Sequence, residues 1–217
     1  MLNLSLVTII IIVANVIISF KGFEDRLFFE RYKFNVGSVK RNEHERMFTS
    51  GFLHADPTHL LFNMFTLYFF ADAVIVPLGS FDFVIIYIAS LLFGSLLSLY
   101  FHKDEYWYSA IGASGAVTGI LYSAILLQPD MSLYMFFVPI PIPGYIFGIG
   151  YLLYSIYGMK KRIGNIGHDA HFGGAIGGYA ITLILKPSLL ETNLGYVALL
   201  AIPIVLLFIM YKTGKLS

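Results

Sequence analysis

The chain has 217 residues, of which 58% are hydrophobic and only 12% are charged, and its mean hydropathy is +0.77. An ordinary water-soluble domain has about 25% charged residues, so this composition excludes that class and predicts a protein that is dissolved in the membrane. A formal net charge of +1 gives no electrostatic basis for nucleic-acid binding, and the absence of cysteine excludes disulfides, thiolate nucleophiles and iron–sulfur ligation.

Seven apolar runs approach the length of about 20 residues that a helix needs to cross a hydrocarbon core of about 30 Å. The first run lacks a basic leading segment and a small-residue cleavage site, which favours a retained span over a signal peptide. The sequence therefore predicts an all-α polytopic membrane protein, with residues 1–217 in a single membrane-embedded domain. The seven predicted spans cover residues 2–20, 57–77, 82–101, 112–128, 140–157, 168–186 and 195–211.

Charge is concentrated between the first two spans, where residues 21–46 carry 12 of the 27 charged side chains. Phe23, Leu27, Phe28 and Tyr32 recur there at roughly helical spacing, which is typical of a helix lying in the headgroup region. An amphipathic loop packed on the bundle would show the same pattern. The other connections are short, and the "IPIPG" stretch at 140–144 predicts a turn that leads into the fifth span.

Four polar side chains fall inside or at the edge of predicted spans, namely His59, Asn63, Ser114 and His171. Polar and ionisable groups in a span are costly, so each one indicates a functional site by default. His59 and Asn63 are four residues apart and therefore share one helix face.

Three of these residues lie at one depth. Asn63, Ser114 and His171 are 14, 14 and 15 residues from the far ends of their spans. At 1.5 Å per residue each lies about 21 to 23 Å from that surface, or about 8 Å below the opposite face of the hydrocarbon core. Alternate spans run in the same direction, so all three side chains are placed below the same membrane face.

Glycines favour contact between the fourth and sixth spans. Gly115 and Gly119 share one ridge of the fourth span, and Gly174 and Gly178 lie on the same face as His171. Small residues at this spacing let helix backbones approach closely in lipid. The pattern predicts that Ser114 and His171 come within hydrogen-bonding distance.

This pair of residue types predicts acyl transfer. A serine hydroxyl becomes nucleophilic when a neutral imidazole takes its proton, so Ser114 and His171 form a candidate dyad. Asp169 is two residues from His171 on the same helix and points elsewhere. Oxyanion donors would come from the backbone at the start of the Ser114 helix, from Asn63 and from His59. The loop before Gly112 should then dip inward and line a hydrated cavity.

Each residue also has a purely structural interpretation. A membrane serine commonly bonds a carbonyl of the preceding turn, and a histidine at a bundle interface or a His–Asn pair commonly holds helices together. His168 and His171, together with His54 or His59, could in principle bind a metal. The G-x-S-x-G elbow and H-E-x-x-H motifs do not occur, because position 116 is Ala and no such histidine pair is present. The coincidence of depth favours catalysis without metal or other cofactor.

Three motifs occur in order along the chain, in "HADPTHLLFNMF", "IGASGAVTGIL" and "AHFGGAIGGY". With them the sequence resembles the rhomboid family of intramembrane serine proteases over most of residues 45–185. The resemblance implies a six-helix core, here about residues 1–186, with the run 195–211 as an added seventh helix. It implies Ser114 as nucleophile, His171 as base, and His59 with Asn63 as oxyanion donors. Residues 21–46 would form the family's membrane-embedded first loop, and the substrates would be single-span membrane proteins cut in or near the transmembrane segment.

Two positions depart from the family pattern. The Trp-Arg pair that often precedes the second span is Glu45-Arg46 here, and the residue one turn after the serine, often aromatic and packed against the base, is Thr118. These departures affect loop anchoring and histidine orientation, and neither removes a reacting group.

The distribution of Lys and Arg and the resemblance to rhomboids predict opposite orientations of the chain in the membrane. Of the 14 Lys and Arg residues, 13 lie on the membrane face nearest the candidate site, and only Lys186 lies on the other. The positive-inside rule would place the site on the cytoplasmic side. Rhomboids usually open outward, and five acids are mixed into the first loop, so we expect a prokaryotic cell membrane with the site opening to the extracytoplasmic side.

The expected function is intramembrane proteolysis through an acyl-enzyme. The alternative is a catalytically inactive rhomboid-like protein that binds transmembrane helices, and a small-solute channel or transporter is the third possibility.

Overall fold

The computed structural model describes residues 5–135, 138–163 and 166–216. Residues 2–4 of the predicted first span lie outside this part of the chain. The helices, in chain order, are α1 (Leu6–Glu24), α2 (Arg26–Tyr32), α3 (Val36–Val39), α4 (Arg46–Thr49), α5 (Pro57–Leu78), α6 (Ser80–Phe101), α7 (Ser114–Leu127), α8 (Gly144–Lys161), α9 (His168–Leu185), α10 (Leu189–Thr192) and α11 (Leu194–Lys212). A 3₁₀ turn covers Ser50–Phe52, and the strands are β1 (Phe34–Asn35), β2 (Ser109–Ala110), β3 (Ser132–Met135) and β4 (Val138–Pro143).

Helices occupy all seven predicted spans. Four of the described helices, α1, α5, α6 and α11, are long and apolar enough to cross a membrane. The shorter apolar helix α7 has 14 residues, 12 of which are buried, because the other helices surround it. The chain is therefore an all-α polytopic membrane protein with α7 at its centre.

The centre of the bundle is held together by backbone contact. A Cβ atom on Gly174 of α9 would overlap the Gly115 carbonyl of α7, and one on Gly178 would overlap the Gly119 carbonyl. On the other side of α9, a Cβ on Gly177 would lie 2.8 Å from the Cα of Ser90 in α6. Close approach of this kind increases van der Waals contact, which drives helix association in lipid. The glycine pattern correctly predicted the contact between α7 and α9.

Residues 25–56 fold into a cap on one face of the bundle. The α2 helix lies within the segment that the sequence marked as amphipathic, and Leu27 on it is 84% exposed. Arg46 is buried and donates to the Glu30 carbonyl at 2.8 Å and the Lys33 carbonyl at 3.0 Å. Arg46 therefore anchors the cap although Glu45 stands where tryptophan is frequent.

Two parts of the fold differ from the sequence prediction. Residues 138–143, partly assigned to the fifth span, form β4 and pair with β3 in an antiparallel hairpin, so α8 begins at Gly144 rather than at residue 140. Prolines at 139, 141 and 143 favour this extended backbone. The β1–β2 pairing, with Phe34 opposite Ala110, was not predicted, because two-residue strands leave no periodic pattern.

Candidate active site

One cavity of about 920 Å³ lies among α5, α6, α7, α8 and α9 below the cap. All four predicted site residues line it, namely His59, Asn63, Ser114 and His171. The loop residues Ile111 and Gly112 also line it, so the chain before α7 reaches inward as predicted. Three unrelated segments thus bring their polar side chains to a single space.

Ser114 is the first residue of α7. The preceding turn needs glycine, because Gly112 has φ 119° and a Cβ there would lie 2.9 Å from His59 Cε1. Gly112 N–H donates to the Ser50 carbonyl at 3.0 Å, which ties the turn to the cap. Val117 N–H is the first helical donor, to the Ala113 carbonyl, so the amides of residues 114–116 have no intrahelical acceptor. These amides and the helix dipole favour negative charge beside Ser114.

His59 and Asn63 approach this turn from α5. The His59 ring lies against Gly112, and a Cβ at Gly112 would also be 3.6 Å from Ser114 Oγ. Ala55 N–H is directed at His59 Nδ1 at 3.5 Å, an arrangement that places the imidazole proton on Nε2 beside Gly112. Asn63 donates one amide hydrogen to the His59 carbonyl at 3.0 Å, and its second amide hydrogen remains available to a ligand. Both side chains therefore have a donor to offer.

His171 lies in the first turn of α9 and is held by a residue of α8. The Tyr151 hydroxyl lies 2.9 Å from His171 Nδ1, and the two rings stack with centroids 6.1 Å apart. The same hydroxyl lies 3.4 Å from Thr118 Oγ1 of α7. Tyr151 thus supplies the aromatic contact that Thr118 does not.

Within the described chain no direct hydrogen bond joins Ser114 Oγ to His171, although both side chains line the cavity. Asp169 takes no part in the site. Its carboxylate accepts from the Tyr108 hydroxyl at 3.3 Å and lies 3.6 Å from His102 Nε2. Burial and this carboxylate raise the pKa of Tyr108, which stays a hydrogen-bond donor. The predicted separation of Asp169 from the base agrees with these contacts.

No group of three His, Asp or Glu side chains that could hold a metal ion occurs in residues 5–135, 138–163 and 166–216. His54 and His59 are in edge-to-face contact at 4.9 Å. His168 packs at the edge of the His171 ring at 6.4 Å. The histidines that could have formed a metal site instead lie as two separate ring pairs.

Two residues of this region were missed at the sequence level. Tyr151 is 20 positions from its partner on another helix, and no spacing rule connects them. His54 was considered only as a metal ligand, yet it is fully buried and bonded on both nitrogens. The sequence did offer one signal for His54, because it lies only five residues before His59 in a chain that has six histidines.

The fold and the site define a class, the polytopic membrane proteins that enclose polar side chains in a cavity within the bundle. The Rhomboid domain family matches residues 41–188, and the chain belongs to this family.

Curated relatives come from mitochondria and from bacteria. RHOMBOID-like protein 12, mitochondrial, of Arabidopsis thaliana is 29% identical over 75% of this chain and 52% of its own length. Rhomboid protein 1, mitochondrial, of Saccharomyces cerevisiae is 30% identical over 59% of this chain and 38% of its own. Rhomboid protease GluP of Bacillus subtilis is 32% identical over 65% of this chain and 26% of its own. The matches thus span about half or less of these relatives.

Proposed function

We propose that this chain is an intramembrane serine endopeptidase that cleaves transmembrane segments of membrane proteins. The observation that carries the proposal is the shared cavity, which is lined by a serine at a helix N-terminus, a histidine and two side-chain donors. Relatives named as proteases, such as GluP, support the same activity.

The first step is attack by Ser114 Oγ on the carbonyl carbon of the scissile peptide. The Ser114 proton passes to His171 Nε2 as the new C–O bond forms. Nε2 accepts this proton if Nδ1–H donates to the Tyr151 oxygen, whose own hydrogen then points to Thr118. In unliganded enzymes such catalytic hydrogen bonds are often long and tighten when substrate binds, so the missing Ser114–His171 bond is compatible with this step.

The oxyanion of the tetrahedral intermediate is stabilised at the N-terminus of α7. The donors are the Ser114 backbone N–H, the free Asn63 amide hydrogen and His59 Nε2–H. Donors fixed in place before the reaction avoid the cost of solvent reorganisation, and each is worth about 10² to 10³ in rate.

Collapse of the intermediate breaks the C–N bond, and His171 returns its proton to the departing amine. The acyl group stays on Ser114 Oγ until water attacks the ester carbonyl and gives a proton to His171. Breakdown of this second intermediate breaks the C–Oγ bond as His171 returns the proton to Oγ, which releases the carboxylic acid and restores Ser114 and neutral His171. Water is the only co-reactant in this sequence.

Substrates are single-span membrane proteins, which enter from the lipid. The cavity extends between α5 and α8, because its lining includes Phe62 and Thr66 of α5 and Phe147 of α8. A substrate helix must unwind to expose a peptide bond to Ser114, because helical carbonyls are already hydrogen-bonded. Segments with small or helix-breaking residues are therefore preferred.

The site opens to the extracytoplasmic side of a prokaryotic cell membrane in this proposal. The first-loop cations that oppose this orientation are largely paired, as in Arg31–Glu43 at 2.7 Å, Lys33–Glu30 at 2.7 Å and Lys21–Asp25 at 3.0 Å. The mitochondrial relatives make an organelle membrane the alternative location. Accessibility of a tag inserted at Lys160–Arg162 to an impermeant reagent tests the orientation.

The decisive experiment is covalent labelling of purified protein by a fluorophosphonate. A protease is labelled at Ser114 and cleaves a reconstituted single-span substrate, and Ser114→Ala abolishes both. A catalytically inactive rhomboid-like protein binds the transmembrane segment with neither labelling nor cleavage. The absence of a Ser114–His171 bond in the described chain is the observation that favours this second candidate. Solute flux insensitive to Ser114→Ala would indicate a channel or transporter.

A further inference from the structure

We propose that His54 is a positioning residue that fixes both sides of the oxyanion hole and is itself held by Ser19 of the first span. This inference rests on the proposed function, because it assigns a role within the same site. It connects α1, which lies before the family match at residues 41–188, to the turn that carries Ser114.

Both nitrogens of His54 are used. The side chain is completely buried just before α5. Nδ1 lies 2.8 Å from Ser19 Oγ, and the Ala113 N–H points at Nε2 with an N–N distance of 3.4 Å. The imidazole therefore bridges the first span and the residue immediately before Ser114.

The directions of these hydrogen bonds follow from the number of protons. Ser19 has one hydroxyl hydrogen, which it donates to the Phe52 carbonyl at 2.9 Å. Ser19 Oγ must then accept from His54 Nδ1–H, which leaves Nε2 unprotonated and able to accept from Ala113. Burial supports this neutral form, since it lowers the pKa of His54 to about 3. The Phe52–Ser19–His54–Ala113 chain therefore admits one tautomer.

Occupation of the Ala113 amide has a consequence for catalysis. Gly112 N–H is already bonded to the Ser50 carbonyl, so the two amides before Ser114 both have acceptors within the protein. Ser114 N–H becomes the first backbone donor available to an oxyanion. A turn that is held by two bonds also keeps Ser114 Oγ in one position.

His54 touches the side-chain half of the hole as well. Its ring packs edge to face on His59, with centroids 4.9 Å apart and an interplanar angle of 73°. His59 in turn lies against Gly112. One buried ring thus contacts both the residue before the backbone donor and the ring of the imidazole donor.

Two substitutions separate the contacts. In His54→Gln the amide oxygen reaches the position of Nε2 and can accept from Ala113, whereas in His54→Asn the amide reaches only the position of Nδ1 and can bond Ser19. With a fluorogenic transmembrane substrate in detergent, we expect His54→Asn to lower kcat about 100-fold with KM within about two-fold, as for the loss of an oxyanion donor. His54→Gln should lose only about 10-fold.

Ser19→Ala tests the anchor and should lower kcat about 10-fold by releasing Nδ1. Its matched control is Ser123→Ala, which removes an equally buried hydroxyl that accepts from Thr182 at 2.7 Å, deep in α7. We expect kcat of the control to stay within about two-fold of the original protein. Equal kcat losses in His54→Asn and His54→Gln, a change in KM alone, or wild-type kcat in His54→Asn would overturn the inference.

A measurement on the unmodified protein keeps the test independent of variant folding and of proteolysis. Nitrogen-15 NMR of labelled histidine should show His54 protonated on Nδ1 and unprotonated on Nε2 at neutral pH. A proton on Nε2 would refute the positioning role. Absence of Ser114 labelling and cleavage in the unmodified protein would instead refute the proposed protease function, and cleavage with an insensitive His54 would refute this inference alone.

Discussion

The central helices α6, α7 and α9 and the flanking helix α8 use glycine in opposite ways. In the central group glycine mostly faces backbone, as Gly174 faces the Gly115 carbonyl, although Gly119 also meets the Ser90 side chain. In α8 glycine faces side chains, as Gly158 faces the His168 ring and Gly148 faces Leu200 and Tyr122. Backbones in contact have no alternative packing, whereas side chains can change rotamer. The comparison indicates a rigid half of the site, in which α7 and α9 carry Ser114 and His171, and an adjustable half, α8, which contacts His171 through Tyr151.

The largest effect is expected at the rigid interface. Gly174→Val places a branched side chain where a single Cβ already overlaps the Gly115 carbonyl, so α7 and α9 must separate. We expect no folded, monodisperse protein in detergent. Gly150→Val on α8 is the control, because nothing lies within 4 Å of a Cβ there. Equal yields and melting temperatures for the two variants would contradict the proposed rigidity.

The second effect concerns the base. Tyr151→Phe keeps the ring stacked on His171 and removes the hydroxyl 2.9 Å from Nδ1. We expect kcat to fall about 10-fold with KM little changed, because the imidazole loses its orienting partner. Tyr157→Phe on the same helix, where the ring is 53% exposed, is the control. A change in KM rather than kcat would assign Tyr151 to substrate binding instead.

A smaller effect is expected where α8 accommodates His168. The added Cβ of Gly158→Ala overlaps the His168 imidazole, which can move more easily than a backbone carbonyl. We expect a loss of about 1 to 2 kcal/mol in the free energy of unfolding, measured by denaturant titration in mixed micelles. Failure of Gly158→Ala to give folded protein, as expected for Gly174→Val, would remove the distinction between the two kinds of interface.

The smallest effect has the opposite sign. Gly150→Ala adds a methyl group in open space within α8 and should stabilise the helix by up to about 1 kcal/mol. Thermal unfolding followed by circular dichroism measures the shift. Destabilisation here would show that α8 is packed more tightly than the described contacts indicate.

The sequence predicted the features that depend on local pattern or on repeated spacing. Apolar runs located α5 and α6 within two residues at each end, and the positions of Gly115, Gly119, Gly174 and Gly178 predicted the contact of α7 with α9. Equal depth predicted that Asn63, Ser114 and His171 share one space, and all three line the cavity. Their catalytic roles stay predictions until Ser114 is labelled.

Features that depend on distant partners could not be predicted. Tyr151 meets His171 and Ser19 meets His54 only because the helices fold against each other, and nothing in either local sequence marks the contact. Residues 140–143 of β4 were interpreted as the start of the fifth span because they are apolar, although alternating prolines favour extended chain. Apolar composition reports burial in lipid or protein and does not by itself distinguish helix from strand.

The position of α9 between α6 and α7 has a consequence for biosynthesis. Its glycines meet both neighbours backbone to backbone, so the centre of the bundle cannot close before α9 has been made and inserted. A nascent chain that has delivered only α7 holds Ser114 without His171. Under the proposed mechanism, cleavage of other membrane proteins that mature beside the chain would therefore begin only once the sixth span is in place.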